Sequence, residues 1–270
     1  MAIGPTINDI REITAVLSEK LKMDYSNYAF SFLRRRFAFL FEELKVKNTK
    51  CFMEGLNTNE LLDEFCYLFP VEEKEMFRDP SFWRTLRAKM LPVIQKENLT
   101  FWFPEFVSTE ELFSLIVILE EENLLAKSKI YCNVGSKKRV ELIKDGRIQG
   151  KFTELNKSNF KRLELRCTFE KYFVEEAGCI RIASDRWLDQ VVFLSGNYFN
   201  HLPDKDIDVA IFRNRMLYYN AKLQAEAERH LLRNLNKDAF VVLGIKEKIL
   251  KENERSFMLY DRGEQIYRIS

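Results

Sequence analysis

The sequence predicts an α/β protein, a mostly parallel sheet preceded by a helical domain and interrupted by a small antiparallel insertion. Three observations predict it. Residues 209–212 (VAIF) form an apolar run of strand length, Leu223, Ala227, Leu231 and Leu235 then recur every fourth residue, and 240–243 (FVVL) is a second apolar run. Strand, helix, strand is a βαβ unit, which joins parallel strands. Residues 1–95 carry helical periodicity throughout, and two hairpin patterns fall at 172–182 and 257–268.

The bulk numbers agree with a folded, soluble chain. At 270 residues it can bury one large core or two modest ones. A hydrophobic share of 46% with 31% charged residues is that of a globular protein. With 23 phenylalanines against nine glycines and six prolines, the expectation is helices around aromatic cores. A formal charge of +2 gives no global field that favours nucleic acid or a membrane. The five cysteines are odd in number, scattered and never spaced as CxxC, and only two histidines accompany them. Neither a disulfide framework nor a metal site is supported, so reduced, buried thiols are expected. The start MAIGPTINDIREI has no basic and then apolar signal pattern, and no apolar run reaches the ~18 residues of a membrane span. The expected location is cytoplasmic.

The helical domain is predicted over residues 1–95. Thr6 caps a helix whose face is Ile7, Ile10, Ile13, Leu17 and Leu21. A second helix after residue 26 carries Phe32, Phe37, Leu40, Phe41 and Leu44, and a third opens at Asn57 or Thr58 and carries Leu61, Leu62, Phe65 and Leu68. Asp79 before Pro80 reads as a cap and first-turn proline for a helix with Trp83, Leu86 and Met90. The α/β domain then spans 96–270. Its first strand is 99–103 (LTFWF), followed by a Ser108–Glu111 capping box and an apolar helix over 112–125. Strands follow at 129–132 and 191–194, with the inserted antiparallel subdomain at about 145–189 between them. In open parallel sheets ligands sit beyond the carboxyl ends of the strands, where Arg213, Asn214 and Tyr218 follow the 209–212 strand.

Several of these stretches together resemble the CheR-type chemotaxis receptor methyltransferases. The family's hallmark is an aspartate-led strand ending in Cys-Arg-Asn, then Ile-Tyr-Phe. Here DIDVAIFRNRMLYYN (206–220) keeps Arg213, Asn214 and Tyr218, with Phe212 for the cysteine. Met76-Phe77-Arg78-Asp79 matches a Phe-Phe-Arg-Asp signature, and YAFSFLRRRFAFL (28–40) matches the triple-arginine helix. Trp102, Ser108, Glu110, Glu111 and Ser114 align with a tryptophan-led strand and Ser-Thr-Gly-Glu-Glu-Pro-Tyr-Ser, with Phe113 for the tyrosine.

The resemblance implies a class I methyltransferase (Rossmann-like) fold and transfer from S-adenosylmethionine to receptor glutamates. It puts Arg78 and Tyr218 near the reacting groups. Around the cofactor it puts Glu110, Glu111, Asn197, Tyr198, Arg213 and Asn214. It also implies a receptor or other signalling protein as partner, approached by Arg34, Arg35 and Arg36, and a small subdomain that in some members holds a receptor tail by strand addition. The triplet alone also reads as a solvated helix face, because at ~3.6 residues per turn three consecutive arginines fan over about 200°. Arg78 and the Glu110-Glu111 pair have plain structural readings too, as an ion pair at a helix start and as part of the cap.

The departures fall on the cofactor side. Glu105 or its neighbours stand for the turn glycine, Thr109 for a second glycine and Leu112 for a proline, Val134-Gly135-Ser136 for the Asp-Ile-Asp that takes the ribose, Lys74 for a threonine, and Ile245 for a histidine. A glycine turn admits close approach and positive φ. Bulkier residues there, one of them acidic, are expected to fill the methyl donor's place and repel its carboxylate. The sequence thus points first to a CheR-like protein that has lost turnover and acts as a binding or regulatory module. The alternatives are a working S-adenosylmethionine-dependent methyltransferase of altered geometry, and a reshaped pocket for a different small ligand.

Overall fold

A computed structural model describes residues 5–94, 96–176 and 178–270. Its centre is a seven-stranded sheet built from β1 (Leu99–Phe103), β2 (Ser128–Val134), β6 (Val191–Ser195), β7 (Val209–Ile211), β8 (Phe240–Val242), β9 (Phe257–Asp261) and β10 (Ile266–Ile269), in the order β6-β2-β1-β7-β8-β10-β9. The first five run parallel, with Trp102 opposite Tyr131 on one side and Ala210 on the other. The closing β9–β10 hairpin is antiparallel, and β10 runs antiparallel to β8. The order reverses between β1 and β7, so a crevice opens there at the carboxyl ends.

Among the described residues five α-helices precede the sheet: α1 (Ile7–Leu21), α2 (Phe30–Glu43), α3 (Thr49–Gly55), α4 (Asn59–Leu68) and α5 (Pro80–Thr85), the last running on into a π-helical turn over Leu86–Met90. Thr6 and Asp9 form a reciprocal cap on α1, and Thr58 accepts from Leu61 N at the start of α4. The phenylalanines do form the expected aromatic core, with the Phe65 and Phe69 rings 4.9 Å apart and Phe37 and Phe52 6.3 Å apart.

Alternate side chains of β1 enter different cores, as the two-residue period of a strand requires. Trp102 packs with α1, α2, Phe65, Phe69, Tyr198 and the next crossover helix, α10 (Ala221–Asn234). Phe101 and Phe103 pack with Phe77, Phe82, Trp83 and the apolar helix α6 (Thr109–Glu121). The core therefore does not divide at residue 95: most of the helical segment shares one face of the sheet, and 76–91 shares the other.

After β2 come α7 (Lys137–Lys144), β3 (Arg147–Gln149), α8 (Thr153–Lys161), α9 (Phe169–Tyr172), β4 (Phe173–Glu176) and β5 (Cys179–Ile182). The last three strands make a separate antiparallel sheet ordered β3-β5-β4, the expected insertion.

Three local expectations need correction. Asp79 does not cap α5 with its side chain; it sits at φ 54°, and its carboxylate is drawn to Arg213 instead. Ser108 accepts from Glu111 N, but the return half of the capping box is missing because Glu111 also turns to Arg213. Only Cys132 is fully buried, while Cys51, on the short α3 that periodicity did not reveal, is exposed.

Candidate functional site

At the carboxyl ends of β1, β2 and β6 lies a cavity of about 770 Å³. That volume is within the range of small-molecule sites. Its floor is the turn after β1 (Pro104, Glu105, Phe106) and the turn after β6 (Gly196, Asn197, Tyr198). The helical segment closes it from above with Tyr25, Tyr28 and Phe69. Gly196, at φ 107°, lets the His201 ring come within 2.7 Å of where a Cβ would stand.

The turn after β1, where side chains were expected to fill the donor's place, borders this open cavity, while the void beside Arg213 is about 10 Å³. Glu105 does not project across the crevice. Its Oε2 accepts from the Tyr219 hydroxyl, and the carboxylate lies along the wall. Burial pushes the Glu105 carboxyl up, while Arg215 and the Tyr219 hydrogen bond pull it back. Burial, and after it the Glu105 charge, raises the Tyr28, Tyr198 and Tyr219 phenols well above their usual range, so they stay neutral.

The residues named from sequence divide among separate places. Asn197 and Tyr198 do line the large cavity. Asn197, however, donates to Leu21 O at 2.5 Å and accepts from Phe199 N at 3.0 Å, which ties α1 to the sheet. Arg78 and Tyr218 share a second, outer cleft of about 430 Å³ with Asn214 and Lys246. There Arg78 pairs with Glu73, and Tyr218 stacks on Phe32 at 4.5 Å.

Arg213, Asn214 and Glu111 surround a void of about 10 Å³, too small for more than a water. Arg213 is buried, donates to Asp79 at 2.5 Å and Glu111 at 3.2 Å, and lies 4.4 Å over the Phe82 ring. Glu110 lies apart from both cavities, beneath the 72–74 segment, where burial and Glu72 push its carboxyl up to about 7. On α2, Arg34 and Arg35 are exposed. Arg36 turns inward, donating to the carbonyls of Leu68, Phe69 and Pro70 and so capping the end of α4.

A wall separates the large cavity from the outer cleft, and no residue lines both. Pro70 faces one side and Val71 the other. Behind them Arg215, 3% exposed, donates to Val71 O and Arg213 O, both at 3.0 Å. The Tyr219–Glu105 bond continues the wall.

Several residues that build this region went unsuspected. Glu247 accepts from the backbone N–H groups of Asn214 (2.7 Å), Gly244 (2.6 Å) and Leu217 (3.2 Å), fixing the turn after β7. A side chain at position 244 would collide with Asn214 Oδ1, 2.2 Å from the Cβ it would add. Asp63 of α4 takes the start of α7, accepting from Lys137 N at 2.6 Å and Ser136 Oγ at 3.1 Å. It stands beside Gly135, where the resemblance led one to look for a ribose carboxylate. Glu105 was legible, as an acid at or beside the place where a glycine was expected.

A family model described as "CheR methyltransferase, SAM binding domain" matches residues 72–263. The chain belongs to the CheR methyltransferase family. Among curated CheR relatives it is 22% identical over 243 residues to the putative methyltransferase Cher3 of Pseudomonas putida, covering 89% of each chain. It is 21% identical to the chemotaxis protein methyltransferase of Listeria monocytogenes, covering 90% of each. Among solved structures it is similar to the O-methyltransferase NovP, at 13% identity and a TM-score of 0.38, over 79% of this chain and 88% of that one. The fold of this CheR-family chain is the class I, Rossmann-like one that the resemblance implied.

The cavity of this CheR-family chain has room for the family's donor. Val134, Gly135 and Ser136 offer the ribose no carboxylate. Arg139, the arginine that lines the cavity, donates to Val107 O, Tyr67 O and Glu72. Among the described residues no cluster of three His, Cys, Asp or Glu side chains could hold a metal ion, and no helix is long and apolar enough to cross a membrane.

Proposed function

We propose that this chain is a signalling protein of the CheR family that binds a small ligand in the cavity at the strand ends and transfers no methyl group. The observation that carries the reading is the wall of Pro70-Val71, Arg215 and Tyr219–Glu105 between the cavity and the cleft of Arg78 and Tyr218. Methyl transfer is an in-line displacement, for which the protein chiefly binds, orients and excludes water. A donor on one side of a wall and an acceptor on the other meet none of these needs. The protein then acts through binding, and a receptor or other signalling protein in the cytoplasm fits relatives named chemotaxis methyltransferases. Arg34 and Arg35, exposed on α2, are the side chains we assign to an acidic partner. Incubation with methyl-labelled S-adenosylmethionine and receptor helices rich in glutamate tests the reading. It expects no methanol-releasing ester above background; stoichiometric ester formation would end it.

A second reading, a working protein-glutamate methyltransferase, is favoured by one observation: the cavity is open rather than filled, and Asn197 and Tyr198 border it. On that reading Arg78 and Tyr218 serve the acceptor, and the wall must part during turnover. The same labelling experiment separates the two.

A further inference from the structure

The main sheet ends at β9, and among the described residues no strand pairs with its outer side. Three consecutive large apolar side chains there are exposed, Met258 by 50%, Leu259 by 45% and Tyr260 by 37%. The backbone is free on that side as well. In the neighbouring β10, Gln265 O accepts from Leu243 N at 3.1 Å, Ile269 N donates to Ala239 O at 2.9 Å and Ile269 O accepts from Asp238 N at 2.9 Å, so these residues turn their groups to the β8 side. Residues of an antiparallel strand alternate between its two neighbours, so Tyr267 and Ile269 offer nothing to β9. Leu259 and Phe257, opposite them, therefore point their N–H and C=O groups outward. The irregularity in this pairing falls past Leu259 and leaves 257–259 regular. Sheets commonly guard such an edge with proline, lysine or an inward charge, and 257–260 (FMLY) carries none of them.

An open edge takes up another strand, and the flanking charges say which one. Residues 254–262 read ERSFMLYDR. Laid antiparallel on a second copy about Met258, Glu254 falls opposite the partner's Arg262 and Arg255 opposite the partner's Asp261, each pair made twice. Phe257 then meets the partner's Leu259 with both outward groups, also twice. Sliding the strands by two residues sets Glu254 opposite the partner's Glu264 in one direction and Arg255 opposite the partner's Leu259 in the other. Glu254, Arg255 and Arg262 are exposed, and among the described residues their side chains form no ion pair. Asp261 already holds Lys89 at 2.9 Å, so Glu254–Arg262 is the pair that a second copy newly completes. We infer that β9 is a homodimer interface, pairing antiparallel with β9 of a second copy about Met258 so that the two sheets join into one. Two-fold pairing uses the same edge of both copies, so association closes at the dimer. The interface lies across the sheet from the cavity beside β6 and goes beyond the reading above, whichever way methyl transfer falls.

Sedimentation equilibrium of the full chain over a concentration series reads the association directly. The expected result is monomer passing to dimer, with no larger species. Leu259→Pro removes an N–H that bonds nothing inside the chain, and it is expected to weaken the dimer at least about tenfold. Arg262→Glu sets like charges opposite each other and is expected to weaken it roughly three- to tenfold, while adding Glu254→Arg restores it to within about twofold of the unsubstituted chain. Both charged residues lie on exposed turns, so this pair of variants decides the matter should the proline variant not fold. A chain that stays monomeric throughout would overturn the inference, as would growth into larger polymers. So would a dimer indifferent to Leu259→Pro, or one that the double charge reversal fails to restore. Methyl transfer in the labelling experiment would remove the earlier reading and leave this one standing, whereas a monomer at every concentration would do the reverse.

Discussion

Replacing Arg215 with methionine keeps most of the side-chain volume and removes the guanidinium that braces the wall. Two carbonyls, Val71 O and Arg213 O, lose their donor, and each charge-assisted bond of this kind contributes about 1.5–3 kcal/mol. Glu73, 10% exposed with an oxygen 3.9 Å from Arg215, and Glu105 lose a neighbouring positive charge. Removing one partner from a buried ionic group costs about 3–5 kcal/mol, and because these terms overlap that is also the expected total for Arg215→Met. At roughly 2–4 °C per kcal/mol for a chain of this size, the midpoint of thermal unfolding should fall by about 6–20 °C. Urea unfolding measures the same loss as a shift of midpoint with little change of slope. Arg215→Lys keeps the charge without the fork and should fall between the two. A loss below about 1 kcal/mol for Arg215→Met, or a lysine variant as damaged as the methionine one, would refute the account of the wall.

Other consequences follow from single contacts. Glu110 has its carboxyl raised to about 7 by burial and by Glu72, so its folded form holds a proton that the unfolded chain has released between about pH 4.5 and 7. Stability from this group is therefore complete below that window and lost as pH rises through it, by an amount on the order of 3 kcal/mol. Glu110→Gln should flatten the pH dependence of the unfolding midpoint there, and an unchanged slope would contradict the assignment. Arg36→Met leaves the last carbonyls of α4 without their donors and should cost about 2–4 kcal/mol in urea unfolding, against a few tenths for Arg34→Met on the exposed face. Asp63→Ala frees the start of α7 and should cost about 1–2 kcal/mol, with faster amide exchange at Lys137 and Lys138 as its signature.

Much of the architecture was legible because it rests on local pattern. The VAIF and FVVL runs with leucines every four residues between them became β7, α10 and β8, and their parallel pairing follows from the crossover. Helix α3 was missed because its seven residues, TKCFMEG, bury only Phe52 and show no period. The caps at Asp79 and Glu111 were misread for one shared reason: Arg213, more than a hundred positions along the chain, outbids a local backbone N–H for both carboxylates. Such competition has no trace in local spacing. The same limit hid the site. Glu105 was visible as an acid in place of a glycine, but its direction depends on Tyr219, and the roof of Tyr25 and Tyr28 comes from a segment that sequence assigned to another domain. Arg78 and Tyr218 line one cleft and Asn197 and Tyr198 another cavity, a separation that depends on the long-range contacts of the wall and leaves no trace in spacing.

A crystal structure of the protein grown with S-adenosylmethionine puts the account to its sharpest test. The prediction is either no donor density, or a donor held on the Tyr25, Tyr28 and Glu105 side with Arg215 still bonded to Val71 O. A donor whose sulfonium methyl looks through a parted Pro70-Val71 segment toward Arg78 and Tyr218 would contradict it.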